Sequence, residues 1–184
     1  FVGGRVIPAS YPKPASSTLW RNEGGRFLLD AAASAELSNV GLVSAAMFAD
    51  VNGDGRPDLV LAREWGSILV LLNDGHEGRR FAPAPNGMGL DRWPSRWNGV
   101  AAGDLDGDGR LDLVATSWGR NTTTPADSVH PLVMAYGPFG TGTETEMLLA
   151  RNDPRLGALA PLTSYAKLRA VMPDLQSRVG TYAA

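Results

Sequence analysis

The chain contains no cysteine. That excludes disulfides and thiolate metal sites, and it leaves the compartment open. There is no run of Lys or Arg, so a nucleic-acid surface, which needs clustered cations, is not expected. No apolar stretch approaches the roughly 20 residues of a transmembrane helix. Histidine occurs only at His76 and His130, both in expected loops, and neither is assigned a catalytic role. No G-x-S-x-G, H-E-x-x-H or P-loop is present, so enzyme chemistry is not expected. An initiator Met and a signal peptide are both missing: Phe1-Val-Gly-Gly-Arg-Val-Ile7 reads as a strand already under way. The chain is expected to be a fragment or processed product of something longer.

What is present is globular. Of the 184 residues, 43% are apolar and 20% charged, a balance that supports a packed core. The 22 glycines and 13 prolines favour many turns and short strands. The net charge is only −2, yet the acids are unevenly placed. Seven of the 19 (Asp50, Asp54, Asp58, Asp104, Asp106, Asp108 and Asp112) fall in two nine-residue loops. A solvated acidic surface explains their number but not their clustering.

Those loops belong to an internal repeat. Val43-Ser-Ala-Ala-Met-Phe-Ala-Asp50 leads into the first loop, and Asp58-Leu-Val-Leu-Ala62 follows it; Asn98-Gly-Val-Ala-Ala-Gly-Asp104 and Asp112-Leu-Val-Ala-Thr116 flank the second. The offset of 54 residues suits one four-stranded propeller blade with a long loop. Each unit reads strand, acidic loop, strand, turn, strand. In the first, Ser67-Ile-Leu-Val-Leu-Leu72 is the third strand, Asn73-Asp-Gly75 a turn and Phe81-Ala-Pro-Ala84 an outer strand. Leu19-Trp-Arg-Asn22, Glu23-Gly-Gly25 and Phe27-Leu-Leu29 mirror that second half, as the tail of an earlier blade. The second unit continues through Leu132–Tyr136. Pro138–Glu146 reads as a decayed acidic loop that holds no metal, and Tyr165–Met172 as a short helix ended by Pro173.

The expected fold is therefore all-β, built of four-stranded antiparallel β-propeller blades, part of a larger propeller, with a short C-terminal helix. The expected organisation is a blade tail over 1–35 and a blade with an acidic loop over 36–90. A second blade, with the start of a degenerate repeat, covers 91–150, and the helical C-terminal segment covers 151–184.

The loop chemistry points to calcium. This hard cation takes six to eight oxygens, and a loop with oxygen side chains at positions 1, 3 and 5 aims three of them inward. Position 7 adds a backbone carbonyl, and glycine at position 6 permits the sharp turn. The first loop supplies Asp50, Asn52, Asp54 and Asp58, with Gly55 at position 6 and the carbonyl of Arg56. The second supplies Asp104, Asp106, Asp108 and Asp112, with Gly109 and the carbonyl of Arg110. Two calcium sites are expected, the second tighter because it brings four carboxylates against three. An EF-hand shares the opening D-x-[DN]-x-D-G but needs a bidentate Glu at position 12, where this chain has Leu61 and Ala115. A dockerin continues into a helix, and thrombospondin-type repeats need cysteines. A loop within a β-hairpin remains.

On these residues the chain resembles the FG-GAP/VCBS repeat family, the integrin-α-like propeller repeats with D-x-[DN]-x-D-G-x-x-D loops. More narrowly, Phe1–Pro8, Tyr11-Pro12, Trp97–Asp104 and Asp112-Leu-Val resemble bacterial secreted proteins of the ASPIC/UnbV type, related to cartilage acidic protein. The resemblance implies calcium in those loops and an extracellular, cell-surface or periplasmic location. It implies a non-catalytic module for binding, adhesion or surface assembly, whose partner is a protein or glycan ligand, further copies of the chain, or the remainder of the propeller. The alternative is the propeller portion of a secreted enzyme whose catalytic domain lies outside this chain. The five tryptophans are expected to pack between blades, with Trp93 and Trp97 as the exceptions. Asn121-Thr-Thr123 fits a glycosylation acceptor, but a turn is the preferred reading.

Overall fold

The computed structural model describes residues 1–76, 79–127, 129–139, 143–175 and 177. The chain divides into two compact units, one made of Phe1–Val6 and Lys13–Thr122, the other of Ile7–Pro12 and Thr123–Ala184. The boundary at Thr122 lies inside the stretch 91–150.

The first unit opens with a hairpin, β1 (Leu19–Glu23) and β2 (Arg26–Asp30). Helix α1 (Ala31–Glu36) follows directly, capped by Asp30, whose carboxylate accepts from the Ala33 N–H at 3.1 Å. Ser34 of that helix fastens the hairpin, taking the Leu19 N–H at 3.0 Å. Next come β3 (Leu42–Ala49), β4 (Asp58–Gly66), β5 (Leu69–His76) and β6 (Arg79–Pro83), a four-stranded antiparallel meander. A second hairpin, β7 (Ser95–Gly103) and β8 (Asp112–Ser117), joins the edge of β4 at Glu64 and Gly66. The expected turn at Asn73–Gly75 is still part of β5, which pairs with β6 past an irregularity after Asn73.

The sequence of β4 explains the core. Leu59, Val60, Leu61 and Ala62 are all fully buried. Side chains alternate across a strand, so a continuous apolar run marks a strand covered on both faces. Leu59 and Leu61 pack with Leu19, Leu37, Val43, Leu71 and Phe81, whereas Val60 and Ala62 pack with Ile68, Val70 and Ala84. Val100, Leu113 and Ala115 of the second hairpin lie against that second cluster. The Ser44 hydroxyl bridges the carbonyls of Ala62 (3.1 Å) and Trp97 (2.6 Å) where β3, β4 and β7 meet.

Phe1–Ile7 does not form the strand expected there; a single bridge joins Val2 to Thr18. Trp20 and Trp118 are 40% and 48% exposed instead of packed; of the two expected exceptions, Trp93 is 58% exposed, whereas Trp97 packs against the second cluster. Trp118 and Trp65 instead flank the Arg96 guanidinium, with ring centres 5.5 and 5.0 Å away, a cation–π arrangement that gives an exposed aromatic face a polar partner. Asn121 sits in a turn, its N–H bonded to the Trp118 carbonyl.

The second unit holds a separate antiparallel sheet in the order β11–β10–β9, formed by β9 (Leu132–Gly137), β10 (Glu146–Asp153) and β11 (Ala158–Pro161). Leu132–Tyr136 thus pairs with β10, not with the second acidic-loop hairpin. Helix α2 covers Tyr165–Val171. Of the decayed loop Pro138–Glu146, residues 140–142 lie outside the described residues. Among the described residues, no helix is long and apolar enough to cross a membrane.

Candidate metal centre

Each acidic loop closes one antiparallel hairpin, the first between β3 and β4, the second between β7 and β8. Their backbone amides at positions 4 to 7 are bonded alike. The position-1 carboxylate gathers loop amides: Asp50 Oδ1 accepts from Gly53 N and Asp54 N, and Oδ2 from Gly55 N, at 2.8, 3.0 and 2.8 Å. Asp104 does the same with Gly107, Asp108 and Gly109, at 2.7, 3.1 and 2.9 Å. Position 3 accepts from the position-5 amide, Asn52 from Asp54 and Asp106 from Asp108. Position 5 accepts from position 7, Asp54 from Arg56 and Asp108 from Arg110. These bonds curl the backbone so that side chains 1, 3 and 5 converge.

The turn has a torsional requirement. Gly55 and Gly109 sit at φ +81 and +83, with open space where a Cβ would stand. A side chain there meets no clash, so the cost is the left-handed backbone alone, about 1–2 kcal/mol. Gly109→Ala is expected to lower stability by about that much, and Gly109→Asn by clearly less, because Asn tolerates this region. Denaturant midpoints of the three proteins check it.

In the second loop all three converging side chains are carboxylates. Carboxylate oxygens of Asp104, Asp106 and Asp108 all lie within 4.8 Å of one another on exposed side chains. Such a set could hold a metal ion. Asp108 is held below the usual carboxylate range, first by the Arg110 side chain and then by its N–H. Asp54 is lowered likewise, first by the Asn52 amide and then by the Arg56 N–H. Both are therefore ionised, as a hard cation requires of its ligands. In the first loop Asn52 takes the middle position, and its Nδ2 donates to Asp54 Oδ2 at 2.9 Å. The arginines at position 7 also fold back on the loop: Arg56 Nη2 lies 2.7 Å from Asp54 and Arg110 Nη2 2.6 Å from Asp108.

The ninth position behaves differently. Asp58 is fully buried; Oδ2 accepts from Val51 N at 3.0 Å and Oδ1 from Asn73 N at 2.8 Å. It staples the loop to β5. Asp112 makes only the first of these bonds among the described residues, to Leu105 N at 3.0 Å, and it lies outside the close triad. Asn73 is the participant that sequence reading missed. Its Nδ2 donates to the Pro57 carbonyl (3.1 Å), and its own carbonyl accepts from Arg56 Nε (2.7 Å). The signal was present in the sequence, where Asn73-Asp-Gly repeats Asn22-Glu-Gly.

The other titratable candidate, His130, pairs with Asp127 at 3.2 Å in the second unit. The His76 side chain lies outside the described residues.

Strand, acidic loop and strand in tandem define an all-β repeat protein. Residues 50–115 match the model of the FG-GAP-like repeat, which spans both acidic loops and the blade between them. Comparison with curated proteins and with solved structures gives no match.

Proposed function

We propose that both acidic loops bind calcium, and that the chain is a non-catalytic, extracellular β-propeller module for binding or surface assembly in which the metal holds the hairpin ends together. The observation that carries this reading is the Asp104, Asp106 and Asp108 triad, whose ligand atoms lie within 4.8 Å of one another in an FG-GAP-like repeat. The first loop joins the reading through its identical hydrogen-bond frame, with Asp50, Asn52, Asp54 and the Arg56 carbonyl in the places of Asp104, Asp106, Asp108 and the Arg110 carbonyl. Asp58 and Asp112 complete the two sets. The narrower likeness to secreted ASPIC/UnbV-type proteins fits the same role.

Calcium titrated calorimetrically into chelator-treated protein tests it. Two ions per chain are expected, with dissociation constants of about 10⁻⁴–10⁻³ M, the range of extracellular modules. The triple variant D104A/D106A/D108A should retain one. Absence of binding at millimolar calcium overturns the reading; one ion per chain in the parent protein removes the first loop from it.

A further inference from the structure

A cavity of about 450 Å³ lies beside the first acidic loop, within the roughly 300–1,000 Å³ of small-ligand clefts. It is lined by Trp20 and Asn22 of β1 and by Phe48, Asn73 and Arg80 of β3, β5 and β6. Both sides are held in place. Leu19 N donates to Ser34 Oγ and the Trp20 indole Nε1 to Thr18 Oγ1, at 3.0 Å each. Asn73 is fastened by the Asp58 carboxylate and by the Pro57 carbonyl. These bonds shape the groove without a metal or a ligand.

The polar groups left over decide the charge of what fits. Asn73 is already used, its Nδ2 by Pro57 and its Oδ1 by the Gly75 N–H. Arg21 and Glu23, which also line the groove, pair with each other at 2.9 Å. Among the described residues, the Arg80 side chain makes no hydrogen bond or ion pair, and neither does Asn22 Nδ2, whose Oδ1 accepts from Gly25 N. The unmet groups are thus donors, and one is a guanidinium fork whose geometry suits a carboxylate.

The apolar groups decide its shape. Trp20 and Phe48 are 40% and 48% exposed, so the aromatic surface is shallow. An apolar acid gains from a pocket that encloses most of its surface. A sugar ring needs less, because its C–H face packs on an indole while its hydroxyls stay in water. An acidic peptide would answer the charge but brings no flat C–H face to Trp20.

We propose that this groove binds an acidic saccharide of the uronate class, with a pyranose ring stacked on Trp20, a carboxylate on Arg80 and a hydroxyl accepting from Asn22 Nδ2. The inference rests on the reading of the chain as a binding module and names its ligand. It uses none of the calcium-ligand positions of either acidic loop.

Trigalacturonate titrated calorimetrically into the chain in chelator tests it, and the chelator keeps its failure apart from a failure of the calcium sites. Saturable binding is expected, about tenfold or more tighter than for neutral maltotriose or for triglutamate. Trp20→Ala and Arg80→Gln should each weaken it about tenfold, the scale of one lost ring contact or charge-assisted hydrogen bond. Trp20→Phe should stay within about threefold of the parent, as should Trp93→Ala, which lies outside the groove. Trp20 and Arg80 are exposed, so circular dichroism should be unchanged in all four variants. Absence of binding at about 10 mM trigalacturonate overturns the proposal. Equal affinity for maltotriose (stacking alone) or for triglutamate (charge alone) does so too, as does parent-like affinity in folded Trp20→Ala or Arg80→Gln.

Discussion

Asp58→Ala is expected to lower stability by about 3–5 kcal/mol, because it strips a charged acceptor from two part-buried backbone N–H groups at once, each such bond being worth about 1.5–3 kcal/mol. The carboxylate is fully buried between Val51 N and Asn73 N, and alanine gives those donors nothing in exchange. At roughly 2–4 °C per kcal/mol for a chain of this size, the melting temperature should fall by about 6–20 °C. Asp58→Asn keeps one acceptor but turns an amide nitrogen toward the other donor, so it should fall in between. Asp112→Ala is the control: its carboxylate makes one such bond and is partly exposed, so about 1–2 kcal/mol is expected. All four proteins are melted in chelator, where a calcium contribution is absent. Equal, small effects at Asp58 and Asp112 would contradict the staple.

Calcium should have the second large effect. An ion that binds only the folded state stabilises it by RT ln(1 + [L]/Kd), about 2.7 kcal/mol at a hundredfold excess over Kd. One filled site then raises the melting temperature by roughly 5–11 °C, and two sites by about twice that. Chelator should reverse the shift and fresh calcium restore it. In D104A/D106A/D108A about half should survive, carried by the first loop. A melting curve that ignores both chelator and calcium would rule out a structural metal.

Much of the candidate site was legible before any coordinates. The spacing of Asp50, Asn52, Asp54 and Gly55, repeated at Asp104, Asp106, Asp108 and Gly109, sets which amides each carboxylate reaches, because the bonds span two to five residues. Local geometry of that kind follows from local sequence. The strands around the loops were legible for a similar reason: Leu59–Ala62 is too uniformly apolar for a strand with a wet face. Position 12 excluded an EF-hand on chemistry alone. The fates of the tryptophans and of Phe1–Ile7 were not legible, because a residue's exposure depends on which distant surface arrives to cover it.

Charge counting ranked the second loop above the first, since it brings one more carboxylate. The structure adds a consideration that counting omits: Asp58 is committed to holding Asn73 and Val51, while Asp112 keeps one oxygen free of such a bond. Two carboxylates at the same motif position thus carry different duties.

The sequence by itself determined the all-β repeat, the two acidic loops and the residues that converge in them, since each rests on alternation or on contacts a few residues apart. Only the tertiary structure decided which carboxylate is a buried staple and that Asn73 completes it. Those facts depend on which strands lie side by side, and strand pairing is a long-range outcome of burying the Leu59–Leu61 and Val60–Ala62 faces together.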